Sequence, residues 1–173
     1  MAEKIGVLIS EDKVSDRISE MAEQINREYE GRTVHLIGVL KGSVFFMCEL
    51  AKKLEVPVTM DFMSVSSYGN ETKSSGVVKL IKDLDESIQD RDVILVEDIM
   101  DSGRTLSYLI KILKERKPAS FKVVTLLDKP DRRVVDVNPD MTGFVIPDRF
   151  VVGYGLDCAQ KYRNLSYIGV IEE

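Results

Sequence analysis

VILVEDIMDSGRTL, residues Val93 to Leu106, is the stretch whose reading decides the fold. Asp92 to Val96 is a nearly unbroken apolar run of the kind a central parallel strand requires, since both of its faces are covered. Two carboxylates, Glu97 and Asp98, follow directly. A short turn of small and polar residues comes next, Asp101 to Thr105, and then a helical repeat from Gly103 to Lys117. That repeat puts Leu106, Leu109, Ile110 and Leu113 on one face, and Pro118 stops it. Strand, turn and helix in this order form the unit of an α/β sheet.

The segments on either side repeat the alternation. Ser15 to Tyr29 has Ile18, Met21, Ala22 and Ile25 at amphipathic-helix spacing, with Gly31 as its stop. Thr33 to Leu40 reads as a strand, Gly42 and Ser43 as a break, and Val44 to Leu54 as a helix with Phe45, Phe46, Leu50 and Leu54 toward the core. Val58 to Val65 is a second strand. Ser66 to Gly76 is polar and turn-rich, and Val77 to Leu84 returns, so the pair reads as a hairpin with a long, flexible tip. Phe121 to Leu127 is another buried-type strand, and the rest consists of short strands and turns. The expectation is one α/β domain over residues 1–173, with a mainly parallel central sheet flanked by helices. Ligands of such sheets bind beyond the carboxyl ends of the strands, here after Leu40, Val96 and Leu127.

Composition narrows the function. The net charge of −5 argues against a general nucleic-acid binder, which would carry a basic face. No apolar run approaches the roughly 18–20 residues of a membrane span, and Met1 to Ser10 lacks a secretory cleavage pattern. The widely separated Cys48 and Cys158 read as reduced thiols of a cytoplasmic protein. His35 lies within a strand and reads as structural.

The turn Asp101–Thr105 has the chemistry of an anion pocket. Free backbone N–H groups and the positive end of a helix dipole converge there. Ser102 and Thr105 add hydroxyls, Arg104 adds a cation, and Gly103 permits close approach of the backbone. The nucleotide-triphosphate P-loop is absent. Two acids beside a phosphate pocket make sense if Glu97 and Asp98 hold sugar hydroxyls and a metal ion, and both reach one ligand only where the strand frays at its end.

The whole string closely resembles the phosphoribosyl-pyrophosphate signature of type I phosphoribosyltransferases, and Asp101 in the first loop position resembles the purine-salvage branch. Arg104 stands where many members have lysine. Three further segments resemble the hypoxanthine-guanine enzymes of that family. Leu40, Lys41 and Gly42 resemble the pyrophosphate loop, in which the Leu–Lys peptide can be cis. Ser67 and Tyr68 resemble the start of a lid over about 66–76. Lys129, Arg149 to Asp157 and Lys161 to Leu165 resemble the purine pocket.

The resemblance implies the family fold with a small hood made by the N- and C-terminal segments. It also implies transfer of a 5-phosphoribosyl group from phosphoribosyl pyrophosphate to hypoxanthine or guanine. Phe150 then stacks on the base, the backbone at Val151 and Asp157 reads its edge, Lys129 donates to the 6-oxo group, and Arg163 meets pyrophosphate. Asp101 serves as general base. Magnesium is the implied cofactor, with Glu97, Asp98 and Asp157 near it, and a homodimer or homotetramer is the expected assembly. A uracil-transferring, RNA-binding regulator of pyrimidine operons is the alternative, and the charge and Asp101 disfavour it.

Overall fold

The computed structural model describes residues 3–68 and 77–172. The chain runs β1 (Lys4–Ile9), α1 (Glu11–Glu28), β2 (Val34–Leu40), α2 (Val44–Lys53), β3 (Val58–Tyr68), β4 (Val77–Lys82), β5 (Asp92–Met100), α3 (Arg104–Lys114) and β6 (Ser120–Asp128). A 3-10 turn (Pro130–Arg132), β7 (Met141–Val145), β8 (Val151–Val152) and β9 (Ile168–Glu172) complete it. Six strands form the main sheet in the order β4-β3-β2-β5-β6-β7. All neighbours are parallel except the β3–β4 edge pair.

The alternation of side chains across β2 and β5 divides the core. Val34, Leu36, Ile94 and Val96 pack on one face with Phe46, Met47 and Leu50 of α2 and with Val14, Ile18, Met21 and Ile25 of α1. Ile37, Val39, Val93 and Leu95 pack on the other with Leu106, Leu109 and Leu113 of α3. Fully buried aliphatics of this kind are worth roughly 1.5–3 kcal/mol each, so the sheet is a firm base for loops at its carboxyl edge.

Several boundaries differ from those the sequence predicts. Helix α1 starts at Glu11 because the Ser10 side chain caps it, accepting from Lys13 N at 3.4 Å. Helix α3 ends at Lys114, and Lys117 takes a left-handed φ of 56°. Strand β1 was not anticipated. It pairs antiparallel with β9, which also pairs with β8, so the second sheet is built from the two ends of the chain. The polar excursion expected over 66–76 lies mostly at 69–76, outside the described residues, as do the side chains of Ser67 and Tyr68, the last residues of β3. Among the described residues no helix is long and apolar enough to cross a membrane.

Candidate active site

Strand β5 does not fray after Val96. Its ladder to β6 continues through Glu97↔Thr125 and Ile99↔Leu127 to Met100↔Asp128. The two acids therefore sit within a strand. Glu97 is buried and faces the α3 side. Asp98 faces the other way, against the turn after β2: a Cβ placed on Gly42 would stand 1.8 Å from Asp98 Oδ2. Gly42 is thus the residue that lets this loop approach the acid.

The two buried carboxyls still influence each other. Burial, then the charge and the carboxyl of Asp98, push the pKa of Glu97 well above the usual carboxylate range. Burial raises Asp98 as well, offset in part by the Ile99 N–H at 2.8 Å and by the charge of Arg163.

On the α3 side, Leu40, Glu97, Asp101, Ser102, Gly103 and Thr105 line one cavity of about 260 Å³. Gly103 caps α3 with a left-handed φ of 83°, the Ser102 hydroxyl accepts the Arg104 N–H at 3.4 Å, and the first turn carries no acid. The amino end of α3 thus keeps its positive dipole end and its remaining N–H groups for an anion. Gly103 was expected to let the backbone near a phosphate. The structure adds a different reason for glycine: a Cβ there would lie 2.7 Å from Val137 Cγ1 and 3.1 Å from Arg133 Cδ. Arg104 is exposed.

A second group gathers where the two sheets meet. The Leu40–Lys41 peptide is cis. Lys41 Nζ and Arg163 Nη2 both donate to Gln160 Oε1, at 3.3 and 3.2 Å. Arg163 also donates to the Gly155 carbonyl at 2.7 Å and lies 3.2 Å from Asp157. Gly155 sits so close to Gly42 that a Cβ on it would be 1.9 Å from the Gly42 carbonyl oxygen. Tyr154, Ala159, Gln160 and Tyr162 all take positive φ, so this corner is held in a backbone shape that side chains disfavour.

Beyond β6, Lys129 is buried and its N–H donates to the Met100 carbonyl at 2.9 Å. Val151 is buried in the smaller sheet, whereas Phe150 is 57% exposed, a large aromatic face left uncovered. Asp101 is about half exposed. Arg132 Nε lies 2.9 Å from its Oδ1 in ion-pair contact without hydrogen-bond alignment, leaving that oxygen without a hydrogen bond. Sequence reasoning missed Arg132, Arg133 and Gln160, since nothing in their spacing marks them.

The acids that come together are Glu97 and Asp98. Asp157 is held by Arg163 and by the Gln160 N–H at 2.8 Å, and among the described residues no group of three or more metal-ligating side chains forms. A pair of mutually repelling buried carboxylates still suits a hard cation that takes its remaining oxygens from a phosphorylated ligand and water.

Comparison with known proteins gives consistent matches. The phosphoribosyl transferase domain family matches residues 10–159. The hypoxanthine-guanine phosphoribosyltransferase of Bacillus subtilis is 53% identical over 166 residues, covering 96% of this chain and 92% of that protein. The bifunctional protein TilS/HprT of Listeria monocytogenes is 56% identical over 96% of this chain, which spans only 26% of that longer relative. A crystal structure of a hypoxanthine-guanine phosphoribosyltransferase from Bacillus anthracis superposes with a TM-score of 0.93 at 48% identity, covering 99% of this chain and 100% of that one.

Proposed function

The chain belongs to the phosphoribosyl transferase family, and from that premise we propose that it performs purine salvage. It moves the 5-phosphoribosyl group of phosphoribosyl pyrophosphate to N9 of hypoxanthine or guanine and releases pyrophosphate. The observation that carries this reading is the single cavity joining Glu97 to the loop Asp101–Thr105. It brings the buried Glu97 carboxyl, the amino end of α3 and the half-exposed Asp101 carboxylate together in one small volume.

The reaction breaks the bond from ribose C1 to pyrophosphate and forms a bond from C1 to the purine nitrogen, through a transition state with cationic character at C1. The amino end of α3, with Ser102 and Thr105, binds the 5′-phosphate and anchors the sugar. Glu97 and Asp98 hold the ribose hydroxyls and place negative charge beside the developing cation. Lys41, Gly42 and Arg163 receive the pyrophosphate, with Gln160 fixing the two cations side by side. Magnesium held by Glu97 and Asp98 together with substrate oxygens would neutralise the leaving group. Asp101 takes the proton from the imidazole side of the base.

Lys129 donates to the 6-oxo oxygen. Adenine presents a donor at that position, and two facing donors leave a buried group unpaired. Phe150 stacks on the ring, and the backbone at Val151 and Asp157 meets its edge. The uracil-transferring regulator is not favoured, because the relatives matched over nearly the whole chain carry the hypoxanthine-guanine name.

A steady-state assay with magnesium, phosphoribosyl pyrophosphate and each base in turn tests the proposal. Nucleotide formation with hypoxanthine or guanine, and not with adenine or uracil, is the expected result. Turnover with uracil alone would overturn it.

A further inference from the structure

We propose that Arg133 is a positioning residue that locks the loop bearing Asp101 to the strand end bearing Lys129, and so sets the distance between the proton acceptor and the 6-oxo donor. The inference rests on the function proposed above and extends it to a largely buried residue that does not line the cavity of Glu97 and Asp101.

Arg133 is largely buried, with 13% of its side chain exposed. Nη1 donates to the main-chain carbonyl of Asp101 at 2.7 Å, and Nη2 donates to Asp128 Oδ1 at 2.6 Å. Asp128 closes β6, and Lys129 is the next residue. One planar guanidinium therefore joins two chain segments that converge on the base from different strands. Its fork is rigid, so the two bonds fix a relative position that a flexible ammonium cannot fix.

The surroundings reinforce the clamp. Val134 N–H donates to the Ser102 carbonyl at 3.0 Å, and Lys129 N–H to the Met100 carbonyl at 2.9 Å. Residues 129–134 thus run alongside 100–102 with backbone bonds above and below the guanidinium. The Arg133 stem fills the space against Gly103, where a Cβ would lie 3.1 Å from Cδ. Arg133 Nε is buried without a partner. The unsatisfied donor and the desolvation of the Arg133–Asp128 pair make this arrangement costly, which fits an arginine that serves the geometry it imposes.

Displacement of a reacting group by about 1 Å costs on the order of a hundredfold in rate. Arg133→Lys keeps a cation for Asp128 but cannot make both bonds. It is expected to remain folded, to leave KM for phosphoribosyl pyrophosphate within about threefold, and to lower kcat with hypoxanthine by roughly thirty- to a hundredfold. The double variant Asp128→Asn/Arg133→Met removes both buried charges. It should fold and show no larger loss of kcat than Arg133→Met alone, because the two residues act as one clamp.

Arg133→Lys, Arg133→Met and the double variant are assayed beside wild type, with the folded fraction measured by circular dichroism. A lower melting temperature in Arg133→Lys with kcat per folded molecule unchanged would overturn the assignment and leave a structural residue. If wild type itself turns over neither hypoxanthine nor guanine, the proposed function falls and the assignment with it. Wild-type turnover with an unchanged Arg133→Lys removes the assignment alone.

Discussion

Asp61 and Glu97 lie on strands flanking β2 in the same sheet and are similarly buried, at 5% and 7% exposure. Their surroundings differ. Asp61 accepts the Phe62 and Asp85 N–H groups at 2.8 Å each and the Glu86 N–H at 3.4 Å, so it ties the edge of the sheet to the turn before β5. Glu97 instead meets the carboxyl of Asp98, and burial together with that neighbour raises its pKa. A buried carboxylate supplied with donors stabilises a fold, and one set against another carboxylate does not. The contrast separates a structural acid from one that, under the proposed function, serves a ligand, and it coincides with position: Glu97, Asp98 and Asp101 all lie at or just past the carboxyl end of β5.

Substitutions by the matching amides sharpen this contrast. Asp101→Asn is expected to have the largest effect, lowering kcat by about 10²–10⁴-fold while sparing binding of phosphoribosyl pyrophosphate and the melting temperature. An unchanged kcat would remove Asp101 from the chemistry. Asp61→Asn should do the reverse. Replacing one acceptor oxygen by a donor beside buried N–H groups should cost about 2–3 kcal/mol in a urea melt, with kcat of the folded fraction retained. A stable Asp61→Asn protein with impaired turnover would erase the distinction between the two acids. Lys129→Gln should act more mildly still, narrowing discrimination against adenine by roughly tenfold in competition assays. Full exclusion of adenine by that variant would put specificity in the backbone near Val151.

Much of this was legible in the sequence because it is local. The strand–acid–turn–helix string, the helical repeats and the breaks at Gly42 and Pro118 depend on near neighbours, and the structure places them close to where periodicity does. What was not legible depends on contacts between distant segments. Strand β1 is defined by pairing of Lys4 with Glu172. The continuation of β5 past Val96 depends on β6 supplying Thr125 and Leu127 beside it. Arg133 and Gln160 carry no signal in their spacing, since their roles come from the carbonyls and cations that other loops bring to them. The sequence identifies Glu97 and Asp98 as a pair but puts them on a frayed end; the ladder carries the strand past them.

The measurement that tests the central contrast most directly is the melting temperature and turnover of Glu97→Gln against wild type across pH. The folded-state pKa of Glu97 is raised well above the ordinary carboxylate value by burial and by Asp98, so the unfolded chain releases its proton first as pH rises. The stability associated with the neutral form is present below the unfolded value and is lost as pH climbs through the folded one. A neutral glutamine escapes that loss. Glu97→Gln is therefore expected to melt higher than wild type near neutral pH, by the equivalent of about 1 kcal/mol, with the gap closing toward pH 4.5 and with turnover strongly reduced. A variant that melts lower than wild type at neutral pH and keeps full turnover would contradict the account, making Glu97 a second Asp61.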